Sequence, residues 1–147
     1  MNGEVFVASD HRGYSAKNDL VAKLNGEYTV SDLGPFALDP DDDYNDAANT
    51  VANAVKQYDG ARGIIICGSG HGVCIQANRH KGIRAINGFT KDLAKIGREH
   101  NDANILCLSA DFADSEQMLE IVKTFLETPF SGEERHLRRN NKLDEEV

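Results

Sequence analysis

The stretch that decides the fold reads Gly63-Ile64-Ile65-Ile66-Cys67-Gly68-Ser69-Gly70-His71-Gly72-Val73. Its first half is an apolar run typical of a buried β-strand, and the alternating glycines that follow favour loop conformations over a continued strand. Beyond the glycines, residues 73–79 have the apolar spacing of a short helix. The glycine loop is therefore predicted between the carboxyl end of a strand and the start of a helix, where open α/β sheets bind ligands.

The predicted loop offers backbone N–H groups that no side chains cover. Such a nest binds a phosphate, a carboxylate or an oxyanion that forms during a reaction. Cys67 lies at its edge, where the same N–H groups would favour the thiolate and make it a usable base or nucleophile. A small buried residue that ends a strand is the plainer interpretation of Cys67, but ending a strand does not require glycine at 68, 70 and 72. The pattern therefore favours a chemical role.

The composition limits the class of protein. A chain of 147 residues has the length of one domain, so we expect a single unit over 1–147. Its formal net charge of -8 argues against a nucleic-acid surface, and an anionic substrate would need a local basic cluster. No apolar run approaches a membrane span, no signal sequence begins the chain, and the odd number of cysteines forms no disulfide framework. We therefore expect a cytoplasmic protein that binds neither nucleic acid nor membrane.

Strand patterns and helix patterns alternate along the chain. The predicted strands cover 4–8, 28–30, 63–66, 82–86 and 104–108, and the predicted helices cover 13–25, 47–55, 73–79, 90–99 and 115–126. A tandem series of this kind predicts a five-stranded parallel, Rossmann-like sheet between helices, a three-layer α/β/α sandwich. A charged helical tail is expected over 130–147. The acidic run at 39–43 is expected to be a solvated loop.

The topology places the candidate residues at two edges of the sheet. Asp10 and His11 follow the first strand, so they should join Cys67 at the carboxyl edge. His100 and Asn101 end a helix, which puts them at the opposite edge of the same chain. They could meet Cys67 only if it came from a second chain in a symmetric dimer.

The tail carries a pair of arginines at helical spacing. Arg135 and Arg139 are four residues apart, on one face of the predicted helix, where two guanidinium groups could share a phosphate. An ordinary solvated helix, with Glu134 and Arg138 as a surface pair, is the alternative interpretation.

Several motifs in this order are known together from one family. They are Asp10-His11, Asp43-Tyr44, Cys67-Gly68-Ser69-Gly70-x-Gly72, Ala77-Asn78, Gly82-Ile83-Arg84-Ala85, Arg98-Glu99-His100-Asn101-Asp102-Ala103-Asn104 and Arg135-His136-x-x-Arg139. The chain resembles the type B ribose-5-phosphate isomerases, whose superfamily also contains the galactose-6-phosphate isomerase subunits. The resemblance covers nearly the whole chain.

The resemblance implies an aldose–ketose isomerase that interconverts ribose 5-phosphate and ribulose 5-phosphate, needs no metal or other cofactor and works through an enediolate. In that family pattern Cys67 matches the base that moves a proton between C2 and C1, and Ser69 matches the hydroxyl that serves the two oxygens. His100, assisted by Asp10, matches the group that opens the sugar ring. The loop that would stabilise the enediolate and contact the substrate comprises Gly68, Gly70, His71 and Gly72.

The resemblance also implies how a small phosphorylated sugar would be bound. His11, Arg135 and Arg139 match the residues that bind the phosphate, while Tyr44 and Asn101 match residues that contact the sugar. Family members are homodimers or tetramers with the site at the subunit boundary, as the two-edge argument requires.

The chain departs from the family pattern at a few positions. Asp111 follows the fifth strand where many members carry an arginine that helps to bind phosphate, so either Asp111 points elsewhere or the substrate differs. Asn45 replaces a proline after Tyr44, and His71 occupies a generally uncharged position. Val73 stands where some relatives use a glutamate base, so the cysteine version of the mechanism applies here.

Other functions remain as alternatives. An isomerase of another phosphorylated aldose, such as allose 6-phosphate or galactose 6-phosphate, would use the same chemistry. A non-catalytic phosphosugar-binding module would use the same loop without turnover. A cysteine phosphatase is disfavoured because position 73 is Val instead of the required arginine, and a zinc site at Cys67, His71 and Cys74 lacks a fourth ligand.

Overall fold

A computed structural model describes residues 3–145, so the last two residues of the predicted tail lie outside the described part. The strands are β1 Val5–Ser9, β2 Val30–Asp32, β3 Arg62–Cys67, β4 Ala85–Asn87 and β5 Ile105–Ser109. The helices are α1 Tyr14–Leu24, α2 Tyr44–Gln57, α3 His71–Ala77, α4 Lys91–Asn101, α5 Ser115–Glu127 and α6 Glu134–Leu143.

All five strands form one parallel sheet in the order β2-β1-β3-β5-β4. The strands β1 and β5 are buried along their whole length, and β3 is buried from its second residue onward, as expected for parallel strands covered on both faces. Alternate residues of β3 point to opposite layers, Ile65 toward α2 and α3, and Ile64 toward α1, α4 and α5. The predicted three-layer sandwich is confirmed, with β3 at its centre.

Two strands begin two or more residues later than the sequence pattern predicts. The segment 28–30 was predicted as β2, but the Tyr28 backbone N–H closes a turn on Leu24 and pairing with β1 runs from Val30 to Asp32. For β4, Gly82 adopts a turn conformation with φ 82°, and the Arg84 backbone donates to the Asn104 side chain. Pairing with β5 therefore starts only at Ala85.

A buried ion pair fixes the loop after β2. The side chain of Lys17 is fully buried and bonds both carboxylate oxygens of Asp32 at 2.8 Å. Asp32 in turn accepts the Gly34 N–H at 2.9 Å, and the Gly34 carbonyl accepts the Ser9 N–H at 3.0 Å. The loop is thereby held beside the carboxyl end of β1, where Asp10 follows. Among the described residues, no helix is long and apolar enough to cross a membrane.

Candidate active site

Cys67 ends the central strand, where the glycine loop begins. Only 4% of its surface is exposed, and the Gly70 N–H donates to its Sγ at 3.1 Å. A backbone N–H directed at sulfur stabilises a thiolate more than a thiol, because bonds to a charged acceptor are stronger. The loop therefore presents a shielded sulfur with a donor already in place.

Two glycines of the loop stand where a larger side chain would not fit. Gly70 has φ 81° and precedes α3, and a Cβ there would lie 3.2 Å from the carbonyl of Leu108. A Cβ on Gly72 would come within 2.6 Å of the Tyr44 ring. Because Tyr44 is the first residue of α2, this contact places its ring directly on the loop.

The two polar residues of the loop differ in exposure. Ser69 is partly buried, and its Oγ accepts the His71 N–H at 3.2 Å, so its own hydroxyl hydrogen can be donated elsewhere. His71 is exposed, with its ring edge-on to Phe89 at 5.6 Å between centroids. Ser69 is thus the less exposed of the two polar side chains.

Asp10 lies beside the strand that carries Cys67. Its backbone N–H donates to the carbonyl of Ile66 at 3.2 Å, and its buried carboxylate accepts the Gly13 N–H at 3.1 Å. These bonds tie the loop after β1 to the end of β3. The predicted convergence of Asp10 and Cys67 at the carboxyl edge is therefore present in one chain.

His11 is oriented by a residue from the acidic run. One oxygen of Asp42 accepts both the His11 backbone N–H at 3.0 Å and its ring Nδ1 at 2.7 Å. The bond to Asp42 raises the pKa of His11, with a further contribution from the charge of Asp10. Asp42 was expected in a solvated loop, and no local sequence pattern connects it with a residue 31 positions away. The effect is to favour a cationic His11, which suits an anionic ligand.

Asp111, which departs from the family arginine, forms an ion pair with Arg12. Arg12 Nη2 bonds Asp111 Oδ2 at 2.5 Å, so the carboxylate after β5 is compensated by a guanidinium from the loop after β1. Arg12 has no role predicted from the sequence, although a cation directly after His11 is a visible signal. The ion pair itself joins residues 99 positions apart, and no sequence pattern indicates it.

A second group of predicted residues gathers at the end of α4. The His100 ring stacks on His136 with 4.3 Å between centroids and 12° between planes, and the Asn140 side chain donates to the His100 carbonyl at 3.0 Å. Both α6 residues are buried, and they attach the tail to α4. Burial lowers the pKa of His136, and the nearby charges of His100 and Arg135 add to this effect. His136 has no role predicted from the sequence, although it belongs to the Arg135-His136-x-x-Arg139 motif.

The predicted arginine pair lies on the exposed side of the same helix. Arg135 and Arg139 belong to α6, as predicted, and both are exposed. Arg135 pairs with Glu133 at 3.0 Å, while Arg138 between them pairs with Glu134 at 3.3 Å. The second group thus combines a stacked imidazole pair on the buried side of α6 with two guanidinium groups on its exposed side.

The two groups lie at opposite edges of the sheet. Arg84 directly precedes β4, and its Nε donates to the carbonyl of Asn101 at 2.9 Å, which places the second group at the amino edge. The six residues of β3 separate the two edges by roughly 17 Å. The predicted site residues of one chain therefore form two separate sets. The carboxyl edge carries Asp10, His11, Tyr44 and the loop Cys67–Gly72. The amino edge carries His100, Asn101, Arg135 and Arg139.

One set of potential metal ligands converges within residues 3–145. Ligand atoms of Asp10, His11 and Asp42 all lie within 4.8 Å of one another. The hydrogen bonds of His11 to Asp42 and of Asp10 to Gly13 account for this convergence. Among the described residues, the ligand atoms of the alternative zinc set, Cys67, His71 and Cys74, do not converge in this way.

The comparisons with known proteins agree on one family. The family model described as Ribose/Galactose Isomerase matches residues 5–143. The chain is 42% identical over 144 residues to the probable ribose-5-phosphate isomerase B of Mycoplasma pneumoniae, covering 97% of this chain and 94% of the relative. It is 34% identical over 143 residues to ribose-5-phosphate isomerase B of Mycobacterium leprae, covering 96% and 88%.

Solved structures give the same result. The crystal structure of ribose-5-phosphate isomerase B from Mycoplasma genitalium with bound ribulose 5-phosphate superposes with a TM-score of 0.92 at 40% identity, covering 98% of this chain and 95% of that one. The Thermotoga maritima ribose 5-phosphate isomerase superposes with a TM-score of 0.91 at 38% identity, covering 98% and 99%.

Proposed function

Because the chain belongs to the ribose/galactose isomerase family, we propose that it interconverts ribose 5-phosphate and ribulose 5-phosphate. The observation that carries the proposal is the Gly70 N–H directed at Cys67 Sγ in the glycine loop. This arrangement combines a base with backbone donors, which is what proton removal next to a carbonyl requires.

The reaction follows from this geometry. The Cys67 thiolate removes the proton from C2 of the open aldose, and the electron pair moves to form an enediolate. Backbone N–H groups of the loop stabilise the negative oxygen. The Ser69 hydroxyl exchanges a proton between O1 and O2, and the Cys67 thiol returns its proton to C1. The product is the ketose, with no net gain or loss of atoms.

The remaining roles fall to the second group of residues. His100 opens the sugar ring with help from Asp10, Asn101 contacts the sugar, and Arg135 and Arg139 bind the phosphate together with His11. Since Asp10 and His11 lie at the carboxyl edge and the others at the amino edge, these roles require two chains. A two-fold dimer that apposes the edges would create two complete sites, and tetramers built from such dimers would keep them.

The substrate assignment gains support from the Arg12 to Asp111 ion pair. An uncompensated carboxylate at this position would repel a phosphate, but Arg12 neutralises it. The departure from the family arginine therefore no longer favours a different substrate class. We place the reaction in a reducing cytoplasm, which suits three unpaired cysteines.

A panel of phosphorylated aldoses tests the proposal. The purified protein should convert ribose 5-phosphate with a higher kcat/KM than allose 6-phosphate or galactose 6-phosphate. Preference for a six-carbon sugar would retain the mechanism and change the substrate. The absence of turnover with every member, together with retained binding, would instead identify a phosphosugar-binding module.

A further inference from the structure

The first glycine of the loop is covered by two charged side chains. A Cβ on Gly68 would lie 2.8 Å from Arg12 Nε and 3.1 Å from Asp111 Oδ2. The Arg12 to Asp111 pair therefore rests directly on the loop that follows Cys67.

The backbone fixes where the Asp111 carboxylate starts. The Ala110 N–H donates to the Cys67 carbonyl at 2.9 Å, and the Asp111 N–H donates to the Gly68 carbonyl at 3.1 Å. The Ser109 hydroxyl donates to the same Gly68 carbonyl at 2.6 Å. The turn after β5 is thus bonded to the glycine loop residue by residue, and Asp111 extends from a defined place.

Arg12 retains donors for a further partner. A guanidinium carries five N–H donors, and within the described part of the chain Arg12 donates from its side chain only through Nη2, to Asp111. Its side chain is 56% exposed. A guanidinium held at one nitrogen and open at the others is suited to an anion that accepts two bonds, as phosphate does.

The charges around the loop also bear on how a phosphate could bind there. Three carboxylates, from Asp10, Asp42 and Asp111, lie at this edge with His11 and Arg12. Without Arg12 this edge would set three carboxylates against one imidazolium, so Arg12 lowers the repulsion that a phosphate dianion would meet here. Arg12 is the permanently charged member of the set, since a guanidinium does not lose its proton in proteins.

We propose that Arg12 is a phosphate-binding residue of the active site, held over the glycine loop by Asp111. The inference rests on the proposed function, because it assumes that the substrate is a sugar phosphate. It adds a residue from the carboxyl edge to the arginines that the partner chain would supply. It also predicts that cation and carboxylate can exchange places across Gly68.

The test measures phosphate affinity separately from turnover. The dissociation constant of inorganic phosphate is measured by calorimetry at fixed ionic strength, and KM and kcat are measured for ribose 5-phosphate. In Arg12→Ala, both the dissociation constant and KM should rise by about 10-fold or more, with kcat nearly unchanged. The swapped variant Arg12→Ala/Asp111→Arg should bind phosphate more tightly than Arg12→Ala, because it restores a cation and removes a carboxylate.

The control is Lys123→Ala, which breaks a surface ion pair with Glu27 far from the loop and should leave all three constants unchanged. An unchanged phosphate affinity in Arg12→Ala would overturn the proposal, as would a swapped variant that binds phosphate no better than Arg12→Ala. A fall in kcat without loss of phosphate affinity would also overturn it, because Arg12 would then act on the reacting oxygens. If the wild type fails to turn over the sugar, the proposed function fails, while calorimetry still decides the role of Arg12.

Discussion

The carboxyl edge and the amino edge of the sheet carry what we propose to be two different halves of an active site. The carboxyl edge is built mainly from backbone, with Cys67 under the Gly70 N–H and the loop bonded to the turn after β5. The amino edge is built from side chains, with a stacked imidazole pair and exposed arginines on α6. In the proposed mechanism, one half would position the base, and the other would open the sugar ring and supply positive charge. On the proposed function, each chain carries both halves and two chains are needed to join them.

The largest effect is expected from the base of the carboxyl-edge half. Replacing the sulfur in Cys67→Ala should lower kcat by about 10²- to 10⁴-fold, the range for loss of a general base. Binding of ribulose 5-phosphate, measured by calorimetry, should stay near the wild-type value because the loop and both halves of the phosphate site remain.

The matched control is Cys74→Ala, which removes another buried thiol, one that donates to the carbonyl of Ala85 and accepts from the side chain of Asn78. Its kcat should remain near that of the wild type. Retained turnover in Cys67→Ala, with folding verified by circular dichroism, would remove the sulfur from the mechanism.

The amino-edge half should affect binding more than chemistry. Arg135→Ala and Arg139→Ala should each raise KM for ribose 5-phosphate by about 10- to 100-fold, because each removes charge-assisted bonds to phosphate. Arg138→Ala on the same helix is the control, since Arg138 pairs with Glu134 and should leave KM unchanged. Equal effects of all three variants would mean that α6 contributes only general positive charge.

At the carboxyl edge, the sequence was enough to predict the strand, the loop and Cys67, but it did not predict the ion pairs around them. The strand, the glycine loop and Cys67 are contiguous, so their periodicity and glycine spacing carried the prediction. The partners Asp42 of His11 and Asp111 of Arg12 lie 31 and 99 positions away, and only the folded chain brings them together. For the amino edge, the helix position of His100 was enough to predict its separation from Cys67. Its stacking on His136 depends on how α6 packs, which no local pattern determines.

The smallest expected effect is a shift in pH dependence at the carboxyl edge. The bond to Asp42 raises the pKa of His11, so the imidazolium should persist above its ordinary pKa of about 6.5 and be lost only as the pH passes the raised value. KM should therefore stay low to a higher pH in the wild type than in Asp42→Asn, whose rise in KM should move toward lower pH.

The exposed neighbour Asp41 provides the control, because Asp41→Asn changes the charge of the same loop without touching His11. A pH profile of KM that is identical for Asp42→Asn and the wild type would show that His11 binds phosphate without help from its protonation.

The central claim, that two chains join the two halves, is tested most directly by mixing inactive variants. Cys67→Ala lacks the base, and Arg135→Ala/Arg139→Ala, assayed below its KM, lacks the phosphate-binding half. After the two proteins are unfolded and refolded together, activity should rise to roughly a quarter of the wild-type value, because half of randomly formed dimers are mixed and each mixed dimer holds one intact site of two. If mixed dimers form, as native mass spectrometry would show, and activity stays at the sum of the two parents, the site does not cross between chains.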